Sequence, residues 1–284
     1  MHPLICAEEL ARSLPRDDIV VLDATQALPG QTFDPQTCFL SGHISGARRF
    51  DIDTFSDPDS PLPHTVPGQA RFARLASALG LHDGARIVFY DQKGVPCAAR
   101  GWWLMGLFGH DRTQVLDGGL PAWMGAGLPL ETGPTPVMPD ATHPFIARLR
   151  TRRLKGLGDM LDIVHAPRSS VILDARAHGR FTGEQPEPRP GISSGHMPGA
   201  ANVPYTTVLG PDGRMLPAHE LRQIFAAAGV RPDSEVVCSC GSGMTACVLA
   251  LGLAAAGLGL HSVYDGSWAE WASTPGTPIV TQRG

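Results

Sequence analysis

The run Cys240-Gly241-Ser242-Gly243-Met244-Thr245 places a thiol, two hydroxyls and two glycines side by side. Glycines at this spacing let a backbone curl until successive N–H groups point inward. Val236-Val237-Cys238 precedes the run, and an apolar stretch from roughly Thr245 to Ala256 follows it. A strand, a tight loop and a helix in that order gather the loop amides at a helix N-terminus, which favours an anion. A thiol heading such a loop is stabilised as the thiolate, and the thiolate is the nucleophile. A cysteine merely buried at a strand end suits the same residues. The loop alone leaves both readings open.

Other reactive side chains lie nearby in sequence. The segment Gly179 to Arg189 carries Arg180 and Arg189, whose planar guanidinium groups can pair bidentately with a carboxylate or polarise a keto oxygen. Cys238, two residues before Cys240 on an extended segment, projects to the same side. It is read as a strand residue packed inward, with a resolving thiol as the alternative. The six cysteines are irregularly spaced, and Cys238-Ser239-Cys240 is C-x-C with no second pair at finger spacing, so neither a disulfide framework nor zinc is expected.

The elements that must position these groups occur twice. Val20-Val21-Leu22-Asp23-Ala24 returns as Val171-Ile172-Leu173-Asp174-Ala175. Ser41-Gly42-His43 returns as Ser194-Gly195-His196, and Asp117-Gly118-Gly119 as Asp265-Gly266-Ser267. Three landmarks in one order, each about 150 residues apart, mean two copies of one domain. Strands are expected at Ile19–Leu22, Arg86–Tyr90 and Gln114–Leu116, and again at Val171–Leu173, Glu235–Cys238 and Ser262–Tyr264. Their alternation with helical patterns predicts an α/β fold, two tandem domains each with a parallel sheet flanked by helices. Domains are expected over 1–130 and 145–284, joined by a Pro-rich linker over 131–144, because the prolines between Glu131 and Pro139 exclude a helix or central strand.

The doubled domain, Gly195-His196-Met197-Pro198-Gly199-Ala200 and the Cys240 loop together resemble the tandem rhodanese-domain sulfurtransferases over essentially the whole chain. The resemblance implies a silent first domain and a second whose loop cysteine becomes a persulfide. Asp91 holds the position of Cys240 in the first copy, and a carboxylate cannot accept sulfur. The loop itself is similar to the Cys-Gly-Ser-Gly-Val-Thr of 3-mercaptopyruvate sulfurtransferases, with Met244 in place of valine and no basic residue suited to thiosulfate. Gly179 to Arg189 resembles the family stretch that supplies two substrate arginines. The implied site has Cys240 as nucleophile, Arg180 and Arg189 on the donor, and Gly241, Gly243, Met244 and Thr245 as the amide cradle. A relay of Ser242 with a first-domain histidine and aspartate is also implied, for which His43 and Asp34 are the candidates. The sulfur is expected to pass from a small-molecule donor to a thiol such as thioredoxin or a small thiol, or to cyanide, with no cofactor. Thiosulfate as donor and a non-catalytic sulfur carrier or anion-binding module are the alternatives. A phosphatase on this scaffold needs an arginine where Ala246 stands.

Composition narrows the remaining classes. In 284 residues the net charge is −4, which argues against a surface that coats nucleic acid. No apolar run reaches the roughly 18 residues that cross a bilayer. Met1-His2-Pro3 followed by Glu8-Glu9 is unlike a secretory signal, so no membrane partner and a cytoplasmic location are expected.

Overall fold

The computed structural model of the protein describes residues 1–16, 18–28, 30–135, 144–166 and 170–281. Of the expected linker, residues 136–143 lie outside the described residues. The chain separates into two compact units. The first comprises Met1–Pro58, Val66–Arg150 and Pro211–Met215; the second comprises Asp59–Thr65, Thr151–Gly210 and Leu216–Gly284. The first unit runs on to Arg150. The Glu131 N–H and C=O pair with those of His43, the Phe145 N–H donates to Ser77 Oγ, and the Arg148 N–H donates to the Phe108 carbonyl.

In the first unit, β1 (Leu4–Ile5), α1 (Ala7–Ser13), β2 (Ile19–Asp23), α2 (Pro35–Ser41), β3 (Arg48–Arg49), α3 (Gln69–Ala78), β4 (Arg86–Tyr90), α4 (Pro96–Leu107), β5 (Thr113–Leu116) and α5 (Gly119–Gly125) follow one another. The second repeats the plan with β6 (Leu154–Lys155), α6 (Leu157–His165), β7 (Val171–Asp174), α7 (His178–Thr182), β8 (Ala201–Asn202), α8 (Ala218–Ala227), β9 (Val236–Ser239), α9 (Ala246–Ala255), β10 (Ser262–Tyr264) and α10 (Ser267–Trp271). Both sheets are parallel, in the order β1-β5-β4-β2-β3 and β6-β10-β9-β7-β8.

The central strands are continuous apolar runs because helices cover both faces of a parallel sheet. In β9 every residue is buried, and Cys238 stands in register between Leu173 and Val263. Helix α9 is apolar all round and buried from Ala246 to Leu253, as a helix enclosed by its own domain must be. One core cluster of the second unit joins Ile172 and Val237 to Met160, Tyr264, Trp268 and Trp271. The six expected strands are all present. The two-residue strands β1, β3, β6 and β8 escape sequence reading because they are too short to show a period. No helix among the described residues is long and apolar enough to cross a membrane.

Strand order fixes where a site can form. From β7 the chain steps outward to β8, then returns to the other side of β7 as β9 and continues to β10. Loops leaving β7 and β9 therefore part at the point where the strand order reverses. The crevice beyond the carboxyl ends of the strands opens there. Arg180 follows β7 and Cys240 follows β9.

Candidate active site

Cys240 is the first residue after β9, and only 2% of its surface is exposed. Its carbonyl accepts from the Trp268 N–H at 2.9 Å, and the Gly241 carbonyl accepts from the Ala269 N–H at 3.0 Å. Ser267 completes this brace. Its hydroxyl donates to the Tyr264 carbonyl and accepts from the Cys240 N–H at 3.2 Å and the Gly243 N–H at 3.1 Å. Ser267 does so from a φ of 50°, which non-glycine residues seldom adopt. Gly243 has a φ of 73°, where a side chain would be strained. The start of α10 thus moulds the loop. The cradle expected from Gly241 to Thr245 is narrowed accordingly, since the Gly243 amide is committed to Ser267. Met244 turns a buried side chain inward, and Thr245 caps α9 without a side-chain hydrogen bond.

The first unit marks where such amides converge. The Leu120 N–H donates to the Asp91 carbonyl at 3.0 Å, as the Trp268 N–H does to Cys240. The Asp91 carboxylate accepts from the N–H groups of Lys93 at 2.8 Å and Cys97 at 3.0 Å. Those positions match Ser242 and Ala246. Burial pushes the Asp91 carboxyl above its ordinary value, against the pull of these amides.

Two guanidinium groups converge on Gly241. A Cβ added there would stand 3.0 Å from Arg180 Nη2 and 3.9 Å from Arg189 Nη1, so a side chain would press on Arg180 and only touch Arg189. Arg180 is held: its Nε and Nη2 donate to the two carboxylate oxygens of Glu187 at 3.0 and 2.6 Å. Arg189 has no carboxylate partner within ion-pair distance among the described residues. Burial draws its guanidinium below the ordinary value, and the strongest opposing pull comes from the Cys240 sulfur. Cys238 is wholly buried in β9, and burial pushes its thiol far up, which suits a packed strand residue and not a resolving nucleophile.

Ser242 also has a partner, and it is not the expected one. His64 Nδ1 lies 3.1 Å from Ser242 Oγ. His43 is occupied within the first unit, with Nδ1 2.9 Å from the Phe39 carbonyl, its ring stacked on Phe39 at 4.0 Å and Nε2 3.8 Å from Glu131. His196 makes the same arrangement on Phe181, so the repeated Gly-His motif is architectural in both copies. Asp34 caps α2, accepting from the Thr37 N–H at 2.8 Å, and the Thr37 hydroxyl is the main influence holding its carboxyl below the usual range. His64 sits in Ser60-Pro61-Leu62-Pro63-His64, which has no periodicity to announce it. Its φ of 59° is the kind of strain that clusters at functional sites.

The rhodanese-like domain family matches residues 7–126 and again 157–274. The chain is 39% identical to 3-mercaptopyruvate sulfurtransferase of Rattus norvegicus over 94% of its own length and 91% of the relative's. It is 36% identical to the thiosulfate/3-mercaptopyruvate sulfurtransferase 1, mitochondrial, of Arabidopsis thaliana, over 98% of this chain and 78% of that one. The crystal structure of SseA from Escherichia coli, described as a 3-mercaptopyruvate sulfotransferase with the rhodanese fold, superposes with a TM-score of 0.85 at 34% identity, covering 94% of this chain and 99% of that one. With both copies matched and the alignments running almost end to end, the chain belongs to the rhodanese family and carries its domain twice in tandem.

Proposed function

We propose that the protein is a 3-mercaptopyruvate sulfurtransferase that works through a persulfide on Cys240. The observation that carries this reading is a cysteine heading an amide-lined loop directly beneath two guanidinium groups. Relatives named for that activity, aligned over most of the chain, support it, and sulfur transfer is the function they share.

In the proposed reaction the Cys240 thiolate attacks the donor sulfur. The S–S bond forms, the C–S bond breaks, and its electron pair stays on the departing three-carbon unit as the enolate of pyruvate. Arg189, lacking a carboxylate of its own, pairs with the donor carboxylate. Arg180 faces the keto oxygen as negative charge develops on it, so its contribution is largest in the transition state. The Ser242 hydroxyl, backed by His64, delivers the proton that turns the enolate into pyruvate. The amides of Ser242 and Ala246 hold the thiolate and then the persulfide. A thiol acceptor, thioredoxin or a small thiol, attacks the outer sulfur and restores the Cys240 thiolate; cyanide would serve as well. This proposed chemistry needs no cofactor, and a cytoplasmic location is part of the proposal.

The test compares pyruvate release from 3-mercaptopyruvate with thiocyanate formation from thiosulfate and cyanide. The loop itself carries no cationic side chain, so kcat/KM should favour 3-mercaptopyruvate by at least about tenfold, a difference worth roughly 1.4 kcal/mol. A preference for thiosulfate would reverse the choice of donor and favour the thiosulfate half of the Arabidopsis relative's name.

A further inference from the structure

Arg180 is the last member of a chain of ion pairs that starts deep in the second unit. Arg176 is almost fully buried, and its Nε and Nη2 bind the Asp174 carboxylate, with Nη2 2.6 Å from Oδ2. Nη2 also donates to the Gly195 carbonyl at 2.7 Å, and the guanidinium lies 4.2 Å over the Trp268 ring. Its remaining nitrogen, Nη1, donates to Glu187 Oε1 at 3.0 Å. The Glu187 side chain, only 4% exposed, then takes the bidentate pair from Arg180.

The repeat separates architecture from function here. Asp23 in the first unit makes the same turn as Asp174, accepting the N–H two residues on. The residue making that turn is Thr25 in the first unit and Arg176 in the second. The fold therefore stands without the buried arginine, which occurs in the copy that carries the cysteine.

We infer that Glu187 is a positioning residue: anchored by Arg176, it fixes the Arg180 guanidinium in one orientation over Gly241. With Nε and one Nη2 hydrogen committed, Arg180 keeps its other Nη2 hydrogen and both Nη1 hydrogens for the donor, held in a fixed plane over Gly241. This inference rests on the proposed donor.

A double-mutant cycle on the whole chain, with Glu187→Gln, Arg180→Met and the double variant, tests it through kcat and KM for 3-mercaptopyruvate. Glu187→Gln should lower kcat about tenfold with KM within about threefold of wild type, and should change kcat less than about twofold in the Arg180→Met background. Arg180→Lys, which keeps the charge but cannot span both Glu187 oxygens, should lose kcat to a similar extent and tests the inference if Glu187→Gln does not fold. Losses that multiply across the cycle, or near-wild-type kcat in Arg180→Lys, would overturn the inference. A wild-type protein that releases no pyruvate from 3-mercaptopyruvate fails the donor reading instead, and the same cycle is then read with thiosulfate.

Discussion

His64 and Ser242 are 178 residues apart in the chain, and the imidazole Nδ1 lies 3.1 Å from the hydroxyl oxygen. A serine hydroxyl is a poor proton donor or acceptor by itself, and a neighbouring imidazole makes it useful in either direction. Ser242 is two residues beyond Cys240, so in the proposed reaction protons can be moved close to where the C–S bond breaks.

This pair yields a direct expectation. Ser242→Ala and His64→Gln should each lower kcat by about a hundredfold, the lower end of the usual contribution of acid–base assistance of about 10²–10⁴. Acting as a unit, they should be non-additive, the double variant being little worse than either single one. His43→Gln should instead act through stability, because its ring packs against Phe39 and bonds its carbonyl. Kinetics beside thermal melts on the four proteins distinguish a relay through His64 from one through His43. Unchanged kcat in His64→Gln would remove the relay from the mechanism.

A second expectation concerns the nucleophile. Cys240→Ser should abolish turnover while the thermal melt stays close to wild type, since the loop is shaped by Ser267, Trp268 and Ala269 through backbone groups that the substitution leaves alone. Mass spectrometry after treatment with donor and no acceptor should find one added sulfur on the peptide holding Cys240. Cys238→Ser should still take up that sulfur, because Cys238 is sealed within β9. Sulfur on Cys238 or Cys247 would mean that the reactive thiol is misassigned.

The fold was legible because it is written twice. The Val-Leu-Asp strand, the Gly-His turn and the Asp-Gly corner recur in order, and any one of them alone would have been ambiguous. The strand, loop and helix around Cys240 were legible because they are contiguous in sequence. His64 was not, since nothing in a proline-rich stretch indicates which distant hydroxyl a histidine will meet. The same repeat that exposed the fold held the correction to His43. His196 has the same motif and an architectural role, and that role transfers to its counterpart. Glu187 lay inside a segment already singled out, but it follows α7 while Arg180 lies within that helix and Arg176 before it, a pairing that only the folded chain reveals.

Arg176 provides a prediction about stability. Burial works against its charge, yet the Asp174 and Glu187 carboxylates outweigh that and hold its guanidinium above the ordinary value. Removing one partner of a buried pair leaves the other charge uncompensated and costs about 3–5 kcal/mol. Arg176→Leu should therefore destabilise the second unit by that order in urea unfolding. Thr25→Ala, at the matching turn of the first unit, should cost less, because it removes one neutral hydrogen bond, from the Gln92 N–H, and leaves the backbone turn bond in place. Equal costs at the two positions would show that the buried charges matter little.

The last prediction separates the two arginines. Arg189→Lys keeps a positive charge near Cys240 but loses the planar fork that matches a carboxylate. Losing one charge-assisted hydrogen bond, at about 1.5–3 kcal/mol, implies roughly a ten- to hundredfold fall in kcat/KM. Because a donor carboxylate is bound equally in ground and transition states, most of the loss should appear in KM. Arg180→Lys should fail differently. Its guanidinium is pinned by Glu187 and faces a charge that develops only as the C–S bond breaks, so kcat should fall while KM changes little. Neither substitution should move the melting temperature as Arg176→Leu does, since Arg189 has no ion partner among the described residues and Arg180 keeps an ammonium near Glu187. Steady-state kinetics on both variants, run beside thermal melts, decides the matter. A loss confined to KM in both would return Arg180 to carboxylate binding, and near-wild-type kcat/KM in Arg189→Lys would remove the fork from the mechanism.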